Sequence, residues 1–395
     1  MGFGKLKGVK IIGVVCVLLM LLYGLVWVSP YKYLIKGVRL TYMVGESSAS
    51  YLDWKGFSTR VISNNPEKKV VQPISTNIKS VVLSKDLNAM LTKTESGSYL
   101  VYRNDTLVCE KYFGPITDTT KQNSFSMAKS ITTLLVQIAI QEGYINGWDD
   151  KVKKYLPWVS GAYSDSLTLR HLTTMTAGLN WDEGNASPFS IAAKAYYTDN
   201  IEGVMRTIDV VENPGAKFQY QSGSTQLLSF VLQMALQKGK NLPKFNQVSD
   251  YASEKLWKAL GMESGALWSL DREGGKELGF CCLNAISRDF GKLGLLALHS
   301  GKMSGVSIID SAFFVLAIKP YKSENYGHSF WLSGTENAVP FYYYQGLQGQ
   351  YICVIPSKNM VVVRTGNGID RVNDQLIFEC VKTYVNEAVA LFGHK

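Results

Sequence analysis

Two β-prone stretches of this chain lie far apart with a long helical stretch between them. A sheet that uses both must be assembled from the two ends of the chain. The first stretch, YLVYRNDTLVCEKYF from Tyr99, holds two apolar runs around Arg103-Asn104-Asp105, which reads as a β-hairpin. The second, Phe341 to Thr365, reads FYYYQGLQGQYICVIP, a turn at Ser357-Lys358-Asn359, then MVVVRT. Directly after the first hairpin, SFSMAKSITTLLVQIAIQEGYI places apolar residues at helical spacing and stops at Gly143. Residues 144–330 carry mostly helical patterns broken by turns, clearest near 169–176, 222–238, 249–260 and 287–300. A last helix covers about 371–391. This order implies an α/β (α+β) domain built from both chain ends, with a mainly helical region inserted at about 144–330. The chain holds no internal repeat and no low-complexity tract.

Residues 11–29, IIGVVCVLLMLLYGLVWVS, carry no charge and follow Lys5, Lys7 and Lys10. That is about the length a bilayer-spanning helix needs. The run is longer than the apolar region of a secretory signal, about 7–15 residues, and no A-x-A site follows it. Residues 1–29 are therefore read as a transmembrane signal anchor, with a cleaved signal peptide as the alternative. Short basic N-termini stay inside the cell, which places the rest of the chain outside the cytoplasm. Residues 30–95, rich in Ser, Thr, Asn and Lys, read as an extended lead-in, and 96–390 as the folded domain. The net charge of +9 is spread along the chain without a basic block, so nucleic-acid binding is not expected.

The cysteines outside the apolar run are Cys109, Cys281, Cys282, Cys353 and Cys380. Their spacing fits neither a zinc site nor a disulfide framework, and adjacent Cys281 and Cys282 read as small buried apolar residues. His171, His299, His328 and His394 form no metal-ligand spacing. Neither a metal nor an organic cofactor is expected.

Three elements carry chemistry. Ser126-Met127-Ala128-Lys129 places a serine and a lysine three apart at a helix start, on one face. A lysine with its pKa lowered by burial can take the serine proton, and a helix N-terminus directs backbone N–H groups toward developing negative charge. Tyr220-Gln221-Ser222 follows a Pro-Gly turn at the mouth of another helix, where Tyr220 can shuttle a proton to a leaving group. Glycines in Tyr344-Gln345-Gly346-Leu347-Gln348-Gly349 mark close backbone approach by a ligand or another segment. Taken singly, each has a bland reading: an amphipathic helix start, one of 22 tyrosines, a glycine-containing turn.

In order and spacing the three together resemble the serine β-lactamase and penicillin-binding-protein superfamily. QEGYINGWDDKVKKYLPW, LTLRHLTTMTAGLNWDE and NAISRDFGKLGLLALHSGK look like segments of class C β-lactamases and related esterases. The resemblance covers roughly 95–390 and implies a β-lactamase/transpeptidase-like fold, an antiparallel sheet flanked by helices. It departs at the third motif. The family's K-T-G, or its His-bearing variant, is matched here by Tyr344-Gln345-Gly346, so the cation that binds a substrate carboxylate is missing. GLQGQYICVIPSKNMVVVRTG looks instead like the branch with 6-aminohexanoate-oligomer hydrolases and carboxylesterases.

The resemblance implies a serine hydrolase of a small-molecule amide or ester. Ser126 is its nucleophile, Lys129 and Tyr220 its proton-transfer groups, and the backbone N–H groups of Ser126 and Leu347 its oxyanion hole. Ser222, Tyr344, Gln345, Gly346 and Trp181 are expected to contact substrate. Segment 179–200, with Asp182, Glu183, Tyr196 and Tyr197, either borders the pocket and suits a substrate amine or is a plain surface loop. The rival readings are a non-catalytic binding protein on the same fold and a peptidoglycan carboxypeptidase or β-lactamase.

Overall fold

A computed structural model describes residues 3–184, 187–239, 241–334, 339–368 and 374–393. His394 and the start of the expected last helix, 371–373, lie outside the described residues.

The N-terminal part forms helices α1 (Phe3–Val28), α2 (Tyr33–Leu40) and α3 (Lys85–Lys93), with strand β1 (Thr59–Ile62) between the last two. Strands β2 (Ser96–Arg103) and β3 (Thr106–Tyr112) form the expected antiparallel hairpin. Asn104 and Asp105 both take left-handed φ, 48° and 61°, as a tight two-residue hairpin turn requires. Strand β4 (Gln122–Asn123) leads into α4 (Met127–Gln141). The middle region supplies α5 (Leu169–Thr173), α6 (Ile191–Tyr197), α7 (Ile201–Met205), α8 (Ser222–Lys238) and α9 (Val248–Ala252). It continues with strands β5 (Ala266–Ser269) and β6 (Leu283–Ala285) and helix α10 (Ser287–Leu298). A small hairpin, β7 (Lys302–Met303) with β8 (Val306–Ser307), and α11 (Ser311–Ala317) complete it. The chain closes with β9 (Trp331–Leu332), β10 (Tyr342–Gly346), β11 (Gln350–Ile355), β12 (Met360–Gly366) and α12 (Asp374–Phe392).

The main sheet has the order β3-β2-β12-β11-β10-β9, antiparallel throughout. Strands from the two chain ends thus lie side by side, as the sequence order implies. Strands β11 and β12 are buried on both faces, and their side chains alternate between two cores. Ile352, Val354, Val361 and Val363 join the core around α4, α8 and α10, whereas Tyr351, Cys353, Met360 and Val362 pack under α12. Helix α4 is buried nearly all round from Met127 to Ala139, the mark of a central rather than a surface helix.

A second sheet, β1-β5-β6-β4, is also antiparallel. It brings residues 59–62, read from sequence as part of an irregular lead-in, against residues 266–269. Residues 30–95 are thus woven into the domain through α2, β1 and α3. Strand β1 has little signal of its own because its partner lies about two hundred residues further along the chain.

Among the described residues no single helix is long and apolar enough to cross a membrane. Gly13–Val28 and Tyr33–Val44 pass by length and composition only as a pair, bent by 120°. Cys281 and Cys282 are buried, as expected of small apolar residues, but are joined to each other by a disulfide.

Candidate active site

Ser126 caps α4 at the floor of a cavity of about 530 Å³. The turn that presents it is bent sharply: Phe125, immediately before it, has φ 42°, a left-handed conformation uncommon for a residue with a Cβ. Three bonds hold this turn. The Phe125 N–H donates to Asn123 Oδ1 at 2.9 Å, the Ser124 N–H donates to the Leu283 carbonyl at 2.9 Å, and the Leu283 N–H donates to Ser124 Oγ at 3.2 Å. Asn123 is fixed in turn from the N-terminal segment. Its Nδ2 donates to Asp53 Oδ1 at 3.0 Å, and the Tyr196 hydroxyl donates to Asp53 Oδ2 at 2.6 Å. Burial raises the Asp53 carboxyl to about 6, against the pull of those hydrogen bonds.

One turn along α4, Lys129 reaches back to the nucleophile. Its Nζ donates to Ser126 Oγ at 2.8 Å and to the Phe280 carbonyl at 3.0 Å. The side chain is 1% exposed, and burial lowers its pKa to about 8, opposed only by the charge of Glu183. The ammonium also lies 5.0 Å from the centre of the Tyr220 ring. Tyr220 lines the same cavity as Ser126. Burial and then Glu183 hold its phenol above the ordinary range, while the nearby Ser126 side chain acts in the opposite direction. The three residues singled out by spacing are therefore brought together in one site.

The motif around Tyr220 is anchored by its neighbours. The Gln221 side chain donates to the Leu179 carbonyl at 2.8 Å and accepts from the Leu179 N–H at 3.3 Å. Ser222 begins α8, and both its N–H and its hydroxyl donate to the Glu183 carboxylate, at 2.7 and 2.5 Å. Trp181 Nε1 donates to the same carboxylate at 2.6 Å.

The third motif closes the cavity from the sheet. A Cβ on Gly346 would lie 2.2 Å from the Ser124 carbonyl oxygen, so only glycine lets the end of β10 meet the nucleophile turn. The close approach read from the glycine pattern is thus to another segment of the chain. Leu347 follows at the cavity wall. Among the described residues neither the Ser126 nor the Leu347 N–H donates a hydrogen bond within the protein. The turn beyond is held by Arg364, a residue that nothing in its local sequence marks out. Its Nη1 donates to the Gln348 and Gly349 carbonyls at 2.8 and 2.7 Å, its Nε donates to Ser96 Oγ at 3.0 Å, and its Nη2 donates to the Thr94 carbonyl.

Of the expected substrate contacts, Ser222, Gln345 and Gly346 line the cavity. Two others are placed elsewhere. Tyr344 is fully buried under α10, its hydroxyl donating to the Leu293 carbonyl at 3.2 Å, because strand alternation turns it to the face opposite Gln345. Trp181 packs on α8, where a Cβ on Gly223 would come within 2.5 Å of its ring, and it acts on the site only through Glu183. From segment 179–200, Glu183, Tyr196 and Tyr197 reach the cavity. No group of three or more His, Cys, Asp or Glu that could hold a metal occurs among the described residues.

Comparison with known proteins agrees with this fold. The Beta-lactamase family model matches residues 86–276. No curated protein sequence matches the chain. Among solved structures, a Bacillus anthracis protein provisionally named a 6-aminohexanoate-dimer hydrolase superposes with a TM-score of 0.73 at 22% identity. That match covers 92% of this chain and 96% of the other. A penicillin binding protein from Bacillus halodurans gives a TM-score of 0.58 at 16% identity, covering 76% and 99%. EstCE1, a hydrolase with promiscuous acyltransferase activity, gives 0.54 at 16%, covering 75% and 99%. The S-x-x-K helix start, the tyrosine motif and the glycine-bearing strand are thus assembled around one cavity in a β-lactamase/transpeptidase-like fold, within a chain whose residues 86–276 match the Beta-lactamase family.

Proposed function

We propose that this protein cleaves an amide or ester bond through an acyl-enzyme on Ser126. The observation that carries the proposal is the buried Lys129 amine, 2.8 Å from Ser126 Oγ and with its pKa lowered to about 8. In its neutral form Lys129 accepts the hydroxyl proton as Oγ attacks the carbonyl carbon. The tetrahedral oxyanion is held between the N–H groups of Ser126 and Leu347; loss of one such donor costs about 100- to 1,000-fold in rate. Tyr220 passes the proton to the departing nitrogen or oxygen as the carbon–leaving-group bond breaks. Water, deprotonated by the same pair, then attacks the acyl carbon, and Ser126 leaves with its proton restored.

The cavity narrows the substrate. The position of the family's carboxylate-binding Lys or His is held by Tyr344, which is neutral and turned away from the cavity, and this disfavours penicillins and D-alanyl peptides. The name of the Bacillus anthracis relative makes short 6-aminohexanoate oligomers the first amides to screen. The N-terminal segment holds the protein at a membrane, with the catalytic domain outside the cytoplasm. Supporting this, α1 exposes Val14, Leu18, Leu21, Leu22 and Leu25 on its surface. Release of p-nitrophenol from p-nitrophenyl acetate by wild type, and none above background by Ser126→Ala, is the expected result. Equal rates for the two proteins would contradict the assignment.

A further inference from the structure

The wall of the cavity opposite the sheet comes from the segment that joins α1 to the domain. Leu34, Val38 and Tyr42 form that wall, facing Ala193 and Tyr197 of α6. Helix α2 sits close on α6: a Cβ on Gly37 would lie 3.4 Å from the Tyr197 ring. Among the described residues that line the cavity, Glu183 is the one charged group, and Ser222 and Trp181 already occupy it.

The rim continues this apolar surface outward. Tyr42, Met43 and Val44 are 69%, 75% and 64% exposed, and Val38 is 47% exposed while also lining the cavity. On the other side Phe189, 67% exposed, meets Tyr31 edge-to-face at 5.9 Å. Tyr31 follows directly on α1, whose exposed side chains from Val14 to Val28 are apolar. Exposed apolar side chains gathered on one segment in this way suit a contact with lipid or another apolar partner. Aromatic residues at its border, Tyr23, Trp27 and Tyr31, suit the bilayer–water interface.

We infer that the substrate is an amphiphile, an ester or amide of a medium or long alkyl chain, taken from a lipid surface with its chain under α2 and its carbonyl at Ser126. This rests on the Ser126 acyl-transfer reading. The alkyl chain replaces water against Leu34, Val38 and Tyr42, and the polar leaving group faces Glu183 and Gln345.

The test uses full-length protein in phosphatidylcholine nanodiscs with p-nitrophenyl acetate, butanoate and octanoate. Each of the six methylenes added from acetate to octanoate contributes roughly three- to fourfold when taken into an apolar site, so kcat/KM should rise on the order of 1,000-fold. In Leu34→Asp and Val38→Asp the octanoate-to-acetate ratio should fall at least about tenfold. Partition of the longer ester into lipid is the same for every variant, and the ratio is read within each protein, so loss of folded enzyme cancels. Acetate turnover with a flat or falling chain-length series, or a ratio that neither variant moves, overturns the inference and leaves the hydrolase reading standing. No Ser126-dependent turnover of any ester overturns both.

Discussion

The Lys129 amine donates to Ser126 Oγ when charged and accepts its proton when neutral, and burial places the change of form near pH 8. Only the neutral form can act as base. Because the pKa is lowered, kcat/KM should rise about tenfold per pH unit up to pH 8 and level off above it. A pH–rate profile on a non-ionising ester checks this, and a profile flat from pH 6 to 9 would contradict it. Lys129→Met should lower kcat about 100- to 10,000-fold, the range of a general base. At Gly346 the constraint is steric rather than electronic. The Cβ of Gly346→Ala would lie 2.2 Å from the Ser124 carbonyl and push β10 away from the nucleophile turn. We expect kcat to fall about 100-fold with a smaller change in KM; unchanged kcat would show that the turn tolerates the displacement.

At the scale of elements, the nucleophile turn depends on a chain of contacts from Asp53 through Asn123 to Phe125. Asp53→Ala takes one hydrogen-bond partner each from buried Asn123 and Tyr196, leaving the 3.2 Å bond between them, and should destabilise the fold by about 2 kcal/mol. Denaturant unfolding checks the loss, and a midpoint equal to wild type would show that the contact carries no stability. Much of the remaining architecture is legible in the amino-acid sequence. Both hairpins announce themselves through Asn-Asp and Lys-Asn turns between alternating strands, and Ser126 and Lys129 through helical spacing, because these are local signals. The Asp53 contact, the pairing of β1 with β5 and the Arg364 bonds to the Gln348 and Gly349 carbonyls are not legible there, because each joins residues remote in sequence. Tyr344 illustrates a different limit. Alternation says that Tyr344 and Gln345 face opposite ways, but which of them meets the cavity depends on packing against α10. Sequence marks Trp181 as a residue near the site, but not its indole bond to Glu183.

At the scale of the whole molecule, we propose that the N-terminal segment both attaches the protein to a membrane and completes the wall of the active-site cavity. Helix α1 presents apolar side chains outward, and α2 directly after it walls the cavity that holds Ser126. Full-length protein should float with phosphatidylcholine vesicles in a density gradient, and Leu18→Lys with Leu22→Lys should leave it in the dense fractions. Flotation unchanged by the two lysines would contradict attachment through α1. The central claim, however, concerns a covalent bond on one oxygen. The most direct measurement is intact-protein mass spectrometry of wild type and Ser126→Ala quenched in acid within seconds of mixing with p-nitrophenyl butanoate, followed by peptide mapping. The expected result is a butanoyl adduct on the peptide containing Ser126 in wild type and no adduct in Ser126→Ala. Turnover by wild type with no adduct there, or with an adduct on another residue, would contradict the acyl-enzyme on Ser126.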